Sequence, residues 1–139
     1  MPAPDMRRRR PSLSSDTTRS VIVIDCDTSF CAWVESALTP LGFRVSLADA
    51  ADDMAALVKR REPAVAIVEI ALGERDGFAV ARKIRDEQPW TPLILVSAAA
   101  NIRRARDVYL GLPRPVFLEK PVDAENLALA IEASLSGMT

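Results

Sequence analysis

The chain has 139 residues, of which 49% are hydrophobic and 27% charged, a composition typical of one globular domain with a sizeable core. No apolar run approaches the roughly eighteen residues of a membrane-spanning helix, and no apolar segment follows Arg7 to Arg10 before Val21, as a secretory signal would require. We therefore expect a cytoplasmic protein. Its two cysteines, without any histidine, exclude a Cys/His zinc site and are expected to be reduced thiols.

Charge is unevenly distributed along the sequence. Residues 1–19 hold five arginines and two aspartates, a net charge of +3, so the remaining residues carry −4. Such a segment could contact nucleic acid or an acidic partner, but a disordered, solubilising leader rich in Pro, Ser and Arg is the interpretation we favour. The predicted organisation is a disordered basic tail over 1–19, one domain over 20–136 and a short C-terminal tail over 137–139.

The first half of the domain alternates between strand-like and helix-like segments. Residues 21–24 are wholly apolar, and apolar residues then recur at helical spacing until the stop signals Pro40 and Gly42. Residues 43–47 alternate apolar and polar side chains, which is typical of a strand at the edge of a sheet. Asp49 is the predicted N-cap of a second helix, with Asp52 and Asp53 in its first turn and basic residues in its last.

The second half continues the alternation, beginning with an apolar strand over 64–68 and a loop that contains Gly73 and Asp76-Gly77. The remaining predicted elements are a helix over 78–88, a strand over 93–96, a helix capped by Asn101 and ending near Gly111, a strand over 116–118 and a helix capped by Asp123. Five such units predict an α/β fold of the flavodoxin-like (βα)5 type, a three-layer sandwich whose parallel sheet has the strand order 2-1-3-4-5.

Polar side chains follow four of the predicted strands at the point where each strand ends. They are Asp25-Cys26-Asp27 after the first strand, Glu69 after the third, Ser97 after the fourth and Lys120-Pro121 after the fifth. Because ligands of open parallel sheets bind outside the carboxyl ends of the strands, we expect these side chains to meet there and to form a site.

This arrangement resembles the receiver domain of two-component response regulators over roughly residues 20–136. The family has an acidic cluster after strand one, a phosphate-accepting Asp after strand three with an Asp-Gly pair seven and eight residues later, a Ser or Thr after strand four, and an aromatic residue three positions before Lys-Pro. The matching positions here are Asp25, Asp27, Asp76-Gly77, Ser97, Phe117 and Lys120-Pro121.

Two positions depart from the family pattern, and both weaken the same reaction. Glu69 stands where the family has its phosphate-accepting Asp, and Cys26 stands where a second acid usually supplies a metal oxygen. The resemblance implies a weakened Mg²⁺ site, formed at most by Asp25, Asp27 and Glu69, and no other cofactor. A redox role for Cys26 is disfavoured, because its anionic neighbours oppose thiolate formation.

The resemblance implies a signalling protein in which Glu69 replaces the phosphorylated aspartate and reaches toward Ser97 and Lys120. The alternatives left open are an inert scaffold in which Glu69 merely pairs with Lys120, a working Mg²⁺-dependent phosphoacceptor, and a flavodoxin-like binder of a nucleotide or flavin. This sequence has no Gly-rich phosphate loop after strand one, which argues against a nucleotide or flavin binder. Phe117 is either the family's switch aromatic or a core residue.

The implied partners are signalling proteins such as a histidine kinase or a downstream effector. A homodimer through the face formed by helix four, strand five and helix five is a further prediction. Enzymatic activity, membrane contact and direct nucleic-acid contact are not expected.

Overall fold

The computed structural model describes residues 19–48, 53–108 and 115–136. Five parallel strands form one sheet in the order β2-β1-β3-β4-β5, as the sequence predicted, with β2 at an edge. The strands are β1 Ser20–Ile24, β2 Arg44–Ala48, β3 Val65–Glu69, β4 Leu93–Ser97 and β5 Val116–Glu119.

Helices cover both faces of this sheet. They are α1 Thr28–Leu38, α2 Met54–Arg61, α3 Gly77–Glu87, α4 Ala99–Val108 and α5 Ala124–Leu135. Buried side chains of α1 and α5 pack on one face of the sheet, and those of α2, α3 and α4 pack on the other. A 3₁₀ turn, Thr39–Leu41, follows α1, and a hairpin of two-residue strands, Ala71–Leu72 with Arg75–Asp76, leads into α3.

Burial along the strands explains their sequence patterns. Every residue of β3 and β4 is buried, and both strands are apolar until their last residue, because helices cover both of their sides. In β2 only Ala48 is buried, which agrees with the alternating pattern that predicted an edge strand. No helix within the described ranges is long and apolar enough to cross a membrane.

Aspartate side chains begin most of the helices. Asp27 and Asp123 accept hydrogen bonds from backbone N–H groups in the first turns of α1 and α5, and the cap predicted at Asp123 is confirmed. Asp53 was expected inside the first turn of α2, but it is the N-cap: its Oδ1 accepts from Ala56 N at 3.1 Å. Asp49, the predicted cap, lies outside the described residues.

The predicted start of α4 was wrong. The helix begins at Ala99, so Asn101 lies inside it, and its side-chain amide donates back to Ser97 instead of capping the helix. Gly111, the predicted end, lies outside the described residues, as do the predicted tails except for Arg19.

Candidate functional site

The backbone at the carboxyl ends of the strands brings the predicted site residues together. Beyond the strand ends, Asp25 N donates to Ala48 O at 3.3 Å and Ile70 N donates to Val96 O at 3.0 Å. Lys120 N donates to Ser97 O at 2.8 Å. These bonds extend the parallel pairing past each strand, so residues up to 95 positions apart in sequence become neighbours.

Asp25, Glu69 and Lys120 form a compact charged cluster, here called the ion triad. Lys120 Nζ lies 2.8 Å from Asp25 Oδ2 and 3.0 Å from Glu69 Oε1. The two carboxylate side chains are almost fully buried, with 2% and 8% of their surface exposed, and that of Lys120 is 20% exposed. Charges removed from water to this extent need close partners, and each carboxylate has the ammonium as one of them.

The second oxygen of each carboxylate is also engaged. Asp25 Oδ1 accepts from Asp27 N at 2.9 Å, and Glu69 Oε2 accepts from Ala71 N at 2.9 Å. Each carboxylate therefore accepts one backbone hydrogen bond and one charge-assisted hydrogen bond, which fixes its orientation and compensates for its burial.

Lys120 is charged in this setting. Burial alone would lower its pKa, but hydrogen bonds to Asp25 and Glu69 outweigh that effect and raise the pKa above its ordinary value. Its Nζ also lies 4.3 Å from the centroid of the Phe30 ring, which in turn stacks on Trp33 with centroids 5.9 Å apart. Phe30 and Trp33 lie on α1, and their helical spacing carries no signal that a lysine ninety residues later would lie against Phe30.

Gly77 allows α3 to start directly against the end of β3. A Cβ atom at this position would collide with the backbone oxygen of Glu69 and lie 2.7 Å from Ile70 Cα, while Gly77 N donates to Ile70 O at 2.8 Å. The preceding Asp76 caps the helix through a 2.9 Å bond from Phe78 N. The Asp-Gly pair thus supports the backbone that carries Glu69.

Ser97 and Asn101 form a second, separate pair. Ser97 is buried, and its Oγ accepts from Asn101 Nδ2 at 2.9 Å. The expectation that Glu69 reaches both Ser97 and Lys120 was therefore only half right. Among the described residues, the Glu69 side chain bonds to Lys120 and Ala71, while Ser97 bonds to Asn101.

Asp27 and Cys26 stay outside the ion triad. One carboxylate oxygen of Asp27 accepts from Ser29 N at 3.0 Å and Phe30 N at 3.2 Å, so it serves the start of α1. Cys26 is an exposed free thiol. Phe117 is half-buried against the core beneath α2 to α4, with the Arg106 guanidinium 5.9 Å from its ring centroid.

Cys31, on α1, is a buried core residue next to the triad. Its Sγ donates to the backbone oxygen of Asp25 at 3.6 Å. Burial, and then the negative charges of Asp25 and Asp27, raise the pKa of this thiol from 9.0 to about 11. The thiol therefore remains neutral at physiological pH, as a packing residue should.

Comparison with known proteins identifies the domain. The sequence pattern of the family described as the response regulator receiver domain matches residues 21–132. The chain belongs to this family. It is 29% identical over 113 residues to the acid tolerance regulatory protein ActR of Sinorhizobium medicae, covering 81% of this chain and 58% of ActR. It is 28% identical over 122 residues to the photosynthetic apparatus regulatory protein RegA of Rhodobacter capsulatus, covering 87% and 64%.

Solved receiver structures have the same fold. The receiver domain of NtrX from Brucella abortus is 27% identical, with a TM-score of 0.72, and the match covers 84% of this chain and 98% of that one. The receiver domain of nitrogen regulatory protein C matches with a TM-score of 0.77 at 24% identity, covering 87% and 97%. The receiver chain described here spans only about 58% of the length of ActR and 64% of RegA.

Within this receiver domain, the edge where the strands end carries two buried carboxylates and one ammonium. The triad therefore keeps a net negative charge when all three groups are ionised. Such an arrangement holds the ends of β1, β3 and β5 together, because Lys120 follows β5 and bonds to residues at the ends of the other two strands.

Proposed function

We propose that this receiver domain signals through protein–protein contact without ordinary aspartyl phosphorylation, with Glu69 replacing the phosphate-accepting aspartate. The observation that carries this proposal is the 3.0 Å contact between Glu69 Oε1 and Lys120 Nζ, with Oε2 bonded to Ala71 N. Both oxygens of the side chain that would have to attack a phosphodonor are thus already committed to partners within the domain.

The length of the glutamate side chain argues in the same direction. One extra methylene displaces the carboxylate by roughly 1.5 Å relative to an aspartate on the same backbone. Phosphoryl transfer depends on in-line positioning of the attacking oxygen, and a displacement of this size is costly. Gly77 lies so close to the backbone of Glu69 and Ile70 that an added Cβ would collide with it, and this leaves little room for the strand end to retreat and compensate.

The donors at this edge also fit Mg²⁺ poorly. Asp25 and Glu69 are each paired with Lys120, and the residue beside Asp25 is a cysteine, whereas Mg²⁺ binds hard oxygen ligands in octahedral geometry. Asp27 uses one carboxylate oxygen to cap α1. We therefore propose no metal-dependent step for this domain and regard it as a binding module, not as an enzyme.

Glu69 imitates a phosphoryl group only in part. It contacts Lys120 but not Ser97, whose hydroxyl accepts a hydrogen bond from Asn101. A phosphoryl group would bring up to about two charges and three acceptor oxygens, against one charge and two oxygens for glutamate. We propose that the resting domain is recognised by a signalling protein, a histidine kinase or a downstream effector, and that phosphorylation at position 69 is not required for this recognition.

Intact-mass measurement after incubation with a small acyl-phosphate donor and Mg²⁺ tests the proposal. The natural chain is compared with a Cys26→Asp/Glu69→Asp variant, which restores both family residues. A matched Cys26→Asp/Glu69→Asn variant has the same restored acid but no carboxylate at position 69. The expected result is a phosphate adduct on the Glu69→Asp variant alone.

Each other result contradicts part of the proposal. An adduct of equal yield on the natural chain makes it a working phosphoacceptor. An adduct on the Glu69→Asn variant means that another residue is modified. If the Glu69→Asp variant also remains unmodified, the two substitutions are not what prevents phosphorylation, and the role assigned to Glu69 is wrong.

A further inference from the structure

The opposite edge of the sheet, where the strands begin, carries a cluster of cationic side chains. A cavity of about 250 Å³ opens there between the start of β1, the start of β2 and the last turn of α2. Its polar lining consists of three arginine and two serine side chains, here called the basic edge: Ser20, Arg44, Ser46, Arg60 and Arg61.

Two of the three arginines of the basic edge, Arg60 and Arg61, present their charge on the surface of the domain. Arg60 and Arg61 are exposed, and within the described ranges neither has an ion-pair partner. Lys59 adds a third cation to the last turn of α2, and Arg19 lies beside Arg44, whose backbone N–H donates to Arg19 O at 2.9 Å. Glu62, the half-buried residue that ends α2, supplies one nearby negative charge.

Helix stability explains only part of this cluster. Cations in the last turn of a helix offset its dipole and contribute about 0.3–1 kcal/mol each. That effect accounts for basic residues at the end of α2, but it does not require Arg44 of a neighbouring strand to line the same cavity. It also does not account for Ser46 beside the three arginines, whereas Ser20 has a structural contact, since its Oγ accepts from Ala64 N at 3.3 Å.

We propose that the basic edge binds the phosphate groups of a nucleic-acid backbone. Arginine presents several N–H donors in a planar fork that matches phosphate oxygens, and serine hydroxyls are common additional donors to phosphate. The described residues that line the cavity include no aromatic side chain on which a base could stack, so binding is through the backbone and is independent of base sequence. This inference revises the sequence-based expectation that the domain makes no nucleic-acid contact.

The basic edge lies at the end of the sheet opposite Glu69 and Lys120, so the inference does not depend on the signalling role proposed for the ion triad.

Fluorescence anisotropy with a short labelled duplex DNA of mixed sequence tests the inference on the full chain. Arg60→Gln/Arg61→Gln is compared with Arg103→Gln/Arg104→Gln, which removes the same charge from an adjacent pair of exposed arginines on α4. Titrations between about 50 and 200 mM salt give the slope of log affinity against log salt, which changes by about 0.9 for each phosphate contact.

We expect the Arg60/Arg61 variant to bind roughly tenfold to a hundredfold more weakly near 0.1 M salt, with a slope smaller by about one to two, while the α4 variant stays within about threefold of the natural chain. Equal losses in both variants, or no DNA binding by the natural chain, overturn the inference. Inorganic tripolyphosphate is the second probe. Binding of tripolyphosphate without binding of the duplex overturns the assignment to nucleic acid.

Discussion

The ion triad and the Ser97–Asn101 pair lie at the same edge of the sheet but are built in different ways. The triad joins side chains from the ends of three strands, and its longest link spans 95 positions of sequence. The Ser97–Asn101 bond spans four positions and joins neutral groups. The triad is held by charge and burial, and the pair by one hydrogen bond.

This difference indicates that the two parts of the site respond to different changes. The triad can be lost only if the ends of β1, β3 and β5 separate from one another or if one of its charges is removed. The Ser97–Asn101 bond ties the first turn of α4 to β4, so a small shift of that helix can break it while the triad stays intact. A partner that contacts α4 would therefore affect Ser97 before it affects Glu69.

The largest expected effect comes from removing the cation of the triad. Lys120→Met leaves Asp25 and Glu69 buried together without their shared partner, so the free energy of unfolding should fall by about 3–5 kcal/mol. Urea denaturation followed by circular dichroism measures this loss. Lys83→Met, at an exposed position of α3, is the matched control and should change stability by less than about 0.5 kcal/mol. Similar small effects of both substitutions would mean that the triad does not stabilise the fold.

A smaller effect is expected at high pH from the thiol behind the triad. The unfolded chain loses the Cys31 proton near the ordinary pKa of 9.0, whereas the folded protein keeps it until about 11. Because the folded state then binds more protons, the free energy of unfolding falls as pH rises across this window, by roughly 2–3 kcal/mol in total.

Two cysteine variants isolate that contribution. Cys31→Ala should remove the fall between about pH 9 and 11, while Cys26→Ala, at the exposed thiol, should retain it. The raised pKa of Lys120 adds a loss at still higher pH that is common to both variants. Parallel stability curves for the two variants would show that Cys31 is not the titrating group.

Most of the fold could be predicted because its signals are local. Apolar runs marked β3 and β4, alternation marked the edge strand β2, and Asp123 marked the start of α5. The parallel order then predicted that Asp25, Glu69, Ser97 and Lys120 lie at one edge of the sheet. Parallel topology determines which strand ends are neighbours, and the predicted strand order was confirmed.

The contacts within the site could not be predicted in the same way. Glu69 has two oxygens, and sequence spacing does not indicate that Lys120 and the Ala71 N–H, not Ser97, bond to them. Asn101 was predicted to be a cap because asparagine is common there, but α4 begins at Ala99, so Asn101 lies inside the helix and its side chain donates to Ser97. The packing of Phe30 against Lys120 depends on the tertiary fold and leaves no trace in sequence spacing.

The smallest expected effect tests whether the two parts of the site are independent. Asn101→Ala removes one hydrogen bond to a buried hydroxyl, so it should lower the free energy of unfolding by about 1 kcal/mol and speed amide exchange in the first turn of α4. Asn126→Ala, which removes a side-chain bond to Asp123 near the surface of α5, is the control and should leave exchange in α4 unchanged.

A double-mutant cycle between Asn101→Ala and Lys120→Met then measures the coupling directly. If the pair and the triad are separate, their effects should add to within about 0.5 kcal/mol, although both lie at the same edge. A coupling energy above about 1 kcal/mol would mean that Ser97 and Glu69 belong to one network. In that case a shift of α4 would be transmitted to Glu69, and the distinction between the two parts of the site would be wrong.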